Sequence, residues 1–185
     1  AVDVFVIYDD VNFIRQGWIN RNRILLDGQP RLFSVPIADE SSFREIRKTV
    51  VSSGEYPRWR KGFFGTLEHA YRRATYYAAV MSLLDGVFTE SVSTIGELAR
   101  SSMLSVCAYL GIDTQIRESS SMYGNRDLHK ADRLYDICRR EGADTYVNSI
   151  GGTELYSREE FARHGISLKF LRPRDIVYGQ FPGKP

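Results

Sequence analysis

Between residues 8 and 24 the chain reads YDDVNFIRQGWINRNRI, a segment holding two carboxylates, three arginines, three asparagines and a tryptophan. Asp9 and Asp10 are of the type that acts as a general base towards an amine or hydroxyl, or that binds a substrate ammonium group. Arg15, Arg21 and Arg23 carry planar forks suited to phosphate or carboxylate, and Asn20 and Asn22 can hydrogen-bond a sugar or an amide. The same residues also suit a salt-bridged surface loop with Trp18 as its apolar anchor. The alternatives separate at Asp10. A catalytic carboxylate predicts that Asp10→Asn abolishes activity and barely touches stability; a salt-bridged loop predicts the reverse. Trp18→Ala is expected to destabilise under both.

A second constellation is NSIGGTELY, residues 148–156. Asn148 ends a predicted strand, Gly151-Gly152 lets backbone approach a ligand or turn with positive φ, and exposed amides there can hold an anion. Together with Tyr156 these residues complete the candidate substrate-binding set. A double glycine between strand and helix also serves as a plain turn, and the pattern is neither GxGxxG nor a P-loop. Glu68-His69 diverge by about 100° on a helix and do not face one substrate, so His69 reads as a structural hydrogen-bonder. No spacing resembles HExxH, CxxC, an EF-hand or GxSxG, so neither a metal nor another cofactor is expected.

The elements that must position these residues follow from periodicity. VFVIY (4–8) is a continuous apolar run, as in a central strand covered on both faces, and Asp9 and Asp10 fall where it ends. In open α/β sheets ligands bind beyond the carboxyl ends of the strands. Residues 23–36 predict a hairpin around Asp27-Gly28, and EIRKTVV a further strand. Pro57 opens a helix whose Trp59, Phe63, Leu67, Ala70 and Tyr71 share one face. Helices follow over 77–88 and over 94–111, the latter closed by Gly111. Next come a short strand over 114–119, a polar loop over 119–127, and a helix closing at Gly142. DTYVN and ISLKFLRP are strands, separated by a helix that Ser157 and Glu160 open as a capping box. This grammar predicts one α/β domain over 1–185, with a mostly parallel sheet, a β-hairpin and flanking helices. The 9–23 loop and the 148–156 turn are expected at the same end of that sheet, sharing a cleft.

Composition narrows the function classes. The net charge is only +2, with a pI near 8.6, which is too balanced for a general nucleic-acid binder. Two cysteines, Cys107 and Cys138, do not make a disulfide framework, and they read as buried thiols of a reducing cytoplasm. No run approaches the roughly 18 apolar residues that a membrane span needs, and no signal peptide is visible. Because the chain opens inside a strand and without methionine, residues are expected before Ala1.

Four blocks resemble the WbqC-like family of bacterial and archaeal proteins: VFVIYDDVNFIRQGWINRNRIL, the surroundings of Tyr71, YLGI at 109–112, and ADTYVNSIGGTELYSREEFARHGISLKFL. Relatives usually begin earlier, with a Gln-Pro-x-Tyr-x-Pro segment, and continue past Gln180-Phe181. Ser149 stands where proline is usual, and Thr75 where Ala-Pro-Tyr is usual. The resemblance implies a role in O-antigen and other surface-polysaccharide gene clusters, as transfer of glycine or another aminoacyl group to a sugar precursor. The implied partners are a sugar or nucleotide-sugar and an activated amino-acid donor, either carrier-bound or on a tRNA. The alternative is a non-catalytic module that binds a nucleotide-sugar or a biosynthetic partner.

Overall fold

The computed structural model describes residues 2–39 and 43–174; Ala1 and the expected departure at 180–185 lie outside the described residues. The chain is α/β, with helices beside small parallel and antiparallel sheets. Two compact units divide it, one of residues 6–120 and one of residues 121–174 with residues 2–5.

β1 (Val4–Val6), whose last residue is the first of the 6–120 unit, pairs with β4 (Gln115–Arg117) in a two-stranded sheet. The Ile7 N–H donates to the Arg117 carbonyl at 3.0 Å, and the Ser120 N–H to the Ile7 carbonyl at 2.8 Å. The expectation of a central strand over 4–8 is corrected: the strand is three residues long, and Phe5 is 42% exposed. An apolar run cannot by itself tell a doubly covered strand from one whose alternate side chains face solvent.

β2 (Arg21–Leu26) and β3 (Gln29–Ser34) form the antiparallel hairpin, with Arg21 opposite Ser34 and Leu26 opposite Gln29. Asp27 at φ 52° and Gly28 at φ 73° supply the two positive dihedrals of a two-residue turn that follows the strand twist. Ile24 and Phe33 share the face that packs on the core. Arg21, Arg23, Leu25 and Leu32 therefore lie on the opposite face. α1 (Tyr56–Tyr71) buries Phe63 and Leu67, and Trp59 stacks on the Phe63 ring at 5.1 Å. Its last residue ties down the hairpin edge, where the Leu25 N–H donates to the Tyr71 hydroxyl at 2.8 Å.

α2 (Tyr77–Val87) and α3 (Ile95–Leu110) complete this core, which gathers Val35, Val51, Tyr56, Val87, Phe88, Ile95 and Leu98. Thr94 caps α3 by accepting from the Glu97 N–H at 3.1 Å, and Gly111 ends it at φ 63°. EIRKTVV is not a strand. It forms a 3-10 turn over Ile46–Lys48, flanked by single bridges from Glu45 to Asn12, Val51 to Ile37 and Val50 to Thr94. Gly96 packs against that turn so closely that a Cβ there would lie 2.6 Å from the Arg47 Cα.

In the second unit α4 (Lys130–Arg140) packs against α5 (Arg158–Arg163) and the parallel pair β5 (Thr145–Ser149) and β6 (Ser167–Leu171). Leu134, Tyr135, Cys138, Phe161, Ile166 and Leu168 form its core. Ser157 caps α5 by accepting from the Glu160 N–H at 3.4 Å. Parallel pairing of 145–149 with 167–171 holds as expected, but these strands and β1 belong to different sheets. No helix of the described residues is long and apolar enough to cross a membrane.

Candidate functional site

Asp9 and Asp10 follow β1, and Ser119 and Ser120 follow β4. Ser119 Oγ donates to Asp9 Oδ1 at 2.6 Å, and Ser120 Oγ donates to Asp10 Oδ1. The pairs form in the same chain order, so both segments leave their strands in one direction and the carboxylates sit beyond the strand ends. That is the place where α/β folds collect ligands. The Arg47 N–H holds the Asp9 carbonyl at 3.0 Å and fixes its backbone. On the same side the Ile46 N–H reaches the Val11 carbonyl at 2.9 Å, and the Phe13 N–H reaches the Arg44 carbonyl at 2.7 Å.

The two carboxylates differ. Asp10 is 3% exposed and its partner Ser120 is fully buried, so this pair is a clasp inside the fold. Asp9 is 7% exposed beside a half-buried Ser119. Its one side-chain hydrogen bond among the described residues is the one that Ser119 gives to Oδ1. A carboxylate oriented through one oxygen in this way is placed as a general base would be. The expectation that Asp10→Asn leaves stability nearly unchanged is therefore corrected, because Asp10 is not a surface group.

The remaining predicted residues of this segment are distributed differently. Arg15 and Asn22 are exposed, and Asn22 Oδ1 accepts from the Arg23 N–H at 2.8 Å. Asn20 Nδ2 donates to the Val35 carbonyl at 3.0 Å, which commits it to holding the hairpin base. Arg21 and Arg23 lie on β2 instead of in a loop. Trp18 is not an anchor: it is 61% exposed, and the anchor is Phe13 at 2%.

Asn148, Gly151, Gly152 and Tyr156 belong to the other unit, at the end of β5 and in a 3-10 turn over Ile150–Glu154. Asn148 Oδ1 accepts from the Ser149 N–H at 2.7 Å. A Cβ on Gly152 would stand 2.5 Å from Asn148 Nδ2, so this glycine makes room for the asparagine. Tyr156 is an edge-on neighbour of Tyr146 and Phe161, which makes it part of an aromatic core. With β1 and β5 in separate sheets, the premise that put this turn and the 9–23 loop in one cleft no longer holds. Gly152→Ala is expected to destabilise the protein by about 0.5–1.5 kcal/mol, the cost of turning the Asn148 amide out of its rotamer, with Gly151→Ala close to neutral. Equal midpoints in urea for the two variants would remove the steric role of Gly152.

Sequence reasoning missed two features. Ser119 and Ser120 were read only as parts of a polar loop, and their partners lie 110 residues away. The other is a buried network on α4. Asn125 Nδ2 donates to Asp136 Oδ2 at 2.8 Å and Arg133 Nε to Asn125 Oδ1 at 3.0 Å. Arg139 and Arg140 reach Asp136 at 2.6 and 2.8 Å. The Asn125 amide, with Arg139 and Arg140 behind it, holds the Asp136 carboxyl below its ordinary range. Burial pushes the Cys138 thiol up, so it is a core residue and not a nucleophile. His69, expected as a structural hydrogen-bonder, is exposed on α1.

The model of the WbqC-like protein family matches residues 1–184. The chain belongs to the WbqC-like protein family. This WbqC-like protein is also similar to the uncharacterized protein Rv1507c of Mycobacterium tuberculosis, with 32% identity over 172 residues, 92% of this chain and 72% of that protein. No solved structure matches it. In this WbqC-like protein the departure at Ser149 falls on the last residue of β5, and that at Thr75 in the turn between α1 and α2.

Proposed function

We propose that this WbqC-like protein is a group transferase of surface-polysaccharide biosynthesis, passing glycine or another aminoacyl group to a sugar precursor, with Asp9 as general base. The observation that carries this reading is the Asp9 carboxylate, set just past the end of β1 and held through Oδ1 by Ser119, its one side-chain hydrogen bond among the described residues. Family membership supports the pathway, through the association with polysaccharide gene clusters set out above. In the reaction a sugar amine or hydroxyl attacks the activated acyl carbon. The new C–N or C–O bond forms as the bond to the carrier breaks, and the acceptor's proton passes to Asp9 Oδ2 and then to the leaving group. Ser119 keeps Oδ1 occupied and so orients the second oxygen.

The test uses the full-length protein with glycyl thioester and glycyl-tRNA donors against a panel of amino sugars and nucleotide-sugars, read by mass gain on the acceptor. Asp9→Asn retains an acceptor for Ser119, so its fold is expected to survive while transfer falls by at least about a hundredfold. If no acceptor gains mass with any donor, or if Asp9→Asn transfers at the original rate, the base assignment fails.

A further inference from the structure

Trp18 is held out in solvent by a loop that is itself well fastened. The Gly17 N–H donates to the Ile14 carbonyl at 3.1 Å, and Arg21 Nε donates to the Gly17 carbonyl at 3.1 Å. Asn20 and Val35 exchange two hydrogen bonds at the base of the hairpin, at 3.0 and 2.8 Å. The exposed ring is thus presented by an ordered backbone. A ring of this size would stabilise the fold if it were buried. The Arg23 guanidinium lies 4.8 Å from its centroid, and no other ring stacks on it among the described residues.

Charge makes the second observation. Arg21 and Arg23 are two residues apart on β2, on the face opposite the core, which sets their Cα atoms about 7 Å apart. Among the described residues neither guanidinium is paired with a carboxylate: Arg21 is spent only through Nε on Gly17, and Arg23 only on the Trp18 ring. Arg31, Arg58, Arg72, Arg73, Arg158 and Arg163 also lack an acidic partner among the described residues; what sets Arg21 and Arg23 apart is that both stand on one strand face next to an exposed, ordered indole.

We infer that Trp18, Arg21 and Arg23 form a platform for a nucleoside diphosphate. The base stacks on the indole, whose other face the Arg23 guanidinium covers, and the two phosphate groups take the terminal N–H donors of Arg21 and Arg23. A simple anion would use the arginines and leave the ring bare. A neutral sugar would use the ring and leave two charges unmatched. The diphosphate of a nucleotide-sugar satisfies both. The platform rests on residues separate from Asp9 and goes beyond the transferase reading, since it suits a transferase or a non-catalytic binder equally.

Calorimetry and tryptophan fluorescence on the full-length protein test it, with uridine diphosphate and guanosine diphosphate as probes. Both are expected to bind saturably below about 1 mM and to quench Trp18, with uridine and inorganic diphosphate weaker by about tenfold or more. Trp18→Ala and the double variant Arg21→Gln/Arg23→Gln are each expected to lose at least about tenfold in affinity, with far-UV circular dichroism unchanged. The proposal is overturned by absent binding, by binding that survives Trp18→Ala, or by inorganic diphosphate binding as tightly as the nucleotides. Preferential binding of a single-stranded oligonucleotide would overturn it too, in favour of a nucleic-acid surface. None of these outcomes bears on aminoacyl transfer, which is read separately by mass.

Discussion

Asp136→Ala is expected to lower the free energy of unfolding by roughly 2–4 kcal/mol, from a stranded buried amide and the loss of charge-assisted hydrogen bonds. The Asp136 side chain is only 7% exposed and accepts from Asn125, Arg139 and Arg140. Its loss strands the buried Asn125 amide, at about 1–3 kcal/mol for an unsatisfied donor, and removes charged hydrogen bonds worth about 1.5–3 kcal/mol each when buried. The outer ends of Arg139 and Arg140, 78% and 50% exposed, return to water and contribute less. Urea unfolding with an unchanged slope reads the loss. A change under about 1 kcal/mol would make the network a solvated surface feature. The same carboxylate sets a pH dependence. Its folded pKa lies below the ordinary 3.8, so the stabilisation is complete above that value and is lost as pH falls through the lower, folded one. Asp136→Asn should flatten that acid limb.

Phe13→Ala is expected to cost about 3–5 kcal/mol, the usual range for an aromatic removed from a core. Phe13 is 2% exposed, and its own backbone is pinned to Arg44. Trp18→Ala, five positions on, is expected to fall within about 0.5 kcal/mol of the unsubstituted protein because the ring is solvated. The pair is measured together by thermal or urea midpoints. A large loss at Trp18 with none at Phe13 would restore the indole as the anchor and remove the exposed ring on which the nucleotide platform depends.

These residues also show where a sequence can be read and where it cannot. α1 and α3 were legible because apolar spacing, Pro57, Thr94 and Gly111 are all local, and the hairpin because Asp27-Gly28 favours one turn geometry. Choosing Trp18 over Phe13 as the anchor failed because burial depends on which partners arrive from elsewhere, here the segment at 44–46. The serine partners of Asp9 and Asp10 were illegible for the same reason. On α4, by contrast, Arg133, Asp136 and Arg140 fall at i, i+3 and i+7, and that charged spacing within one helix was a usable signal. The double coverage assigned to residues 4–8 had no such local cue.

The tight seat of Gly96 on Arg47 reaches further than packing. The Arg47 Cα lies where any side-chain carbon at position 96 would go, and the Arg47 N–H grips the Asp9 carbonyl. A bulkier residue at 96 must push the turn, and the turn carries the backbone of the proposed base with it. Position 96 is thus mechanically geared to a carboxylate 87 positions earlier in the chain. Among natural variants of this protein, a methyl group gained there would show itself as a misaimed proton acceptor in a chain that still folds.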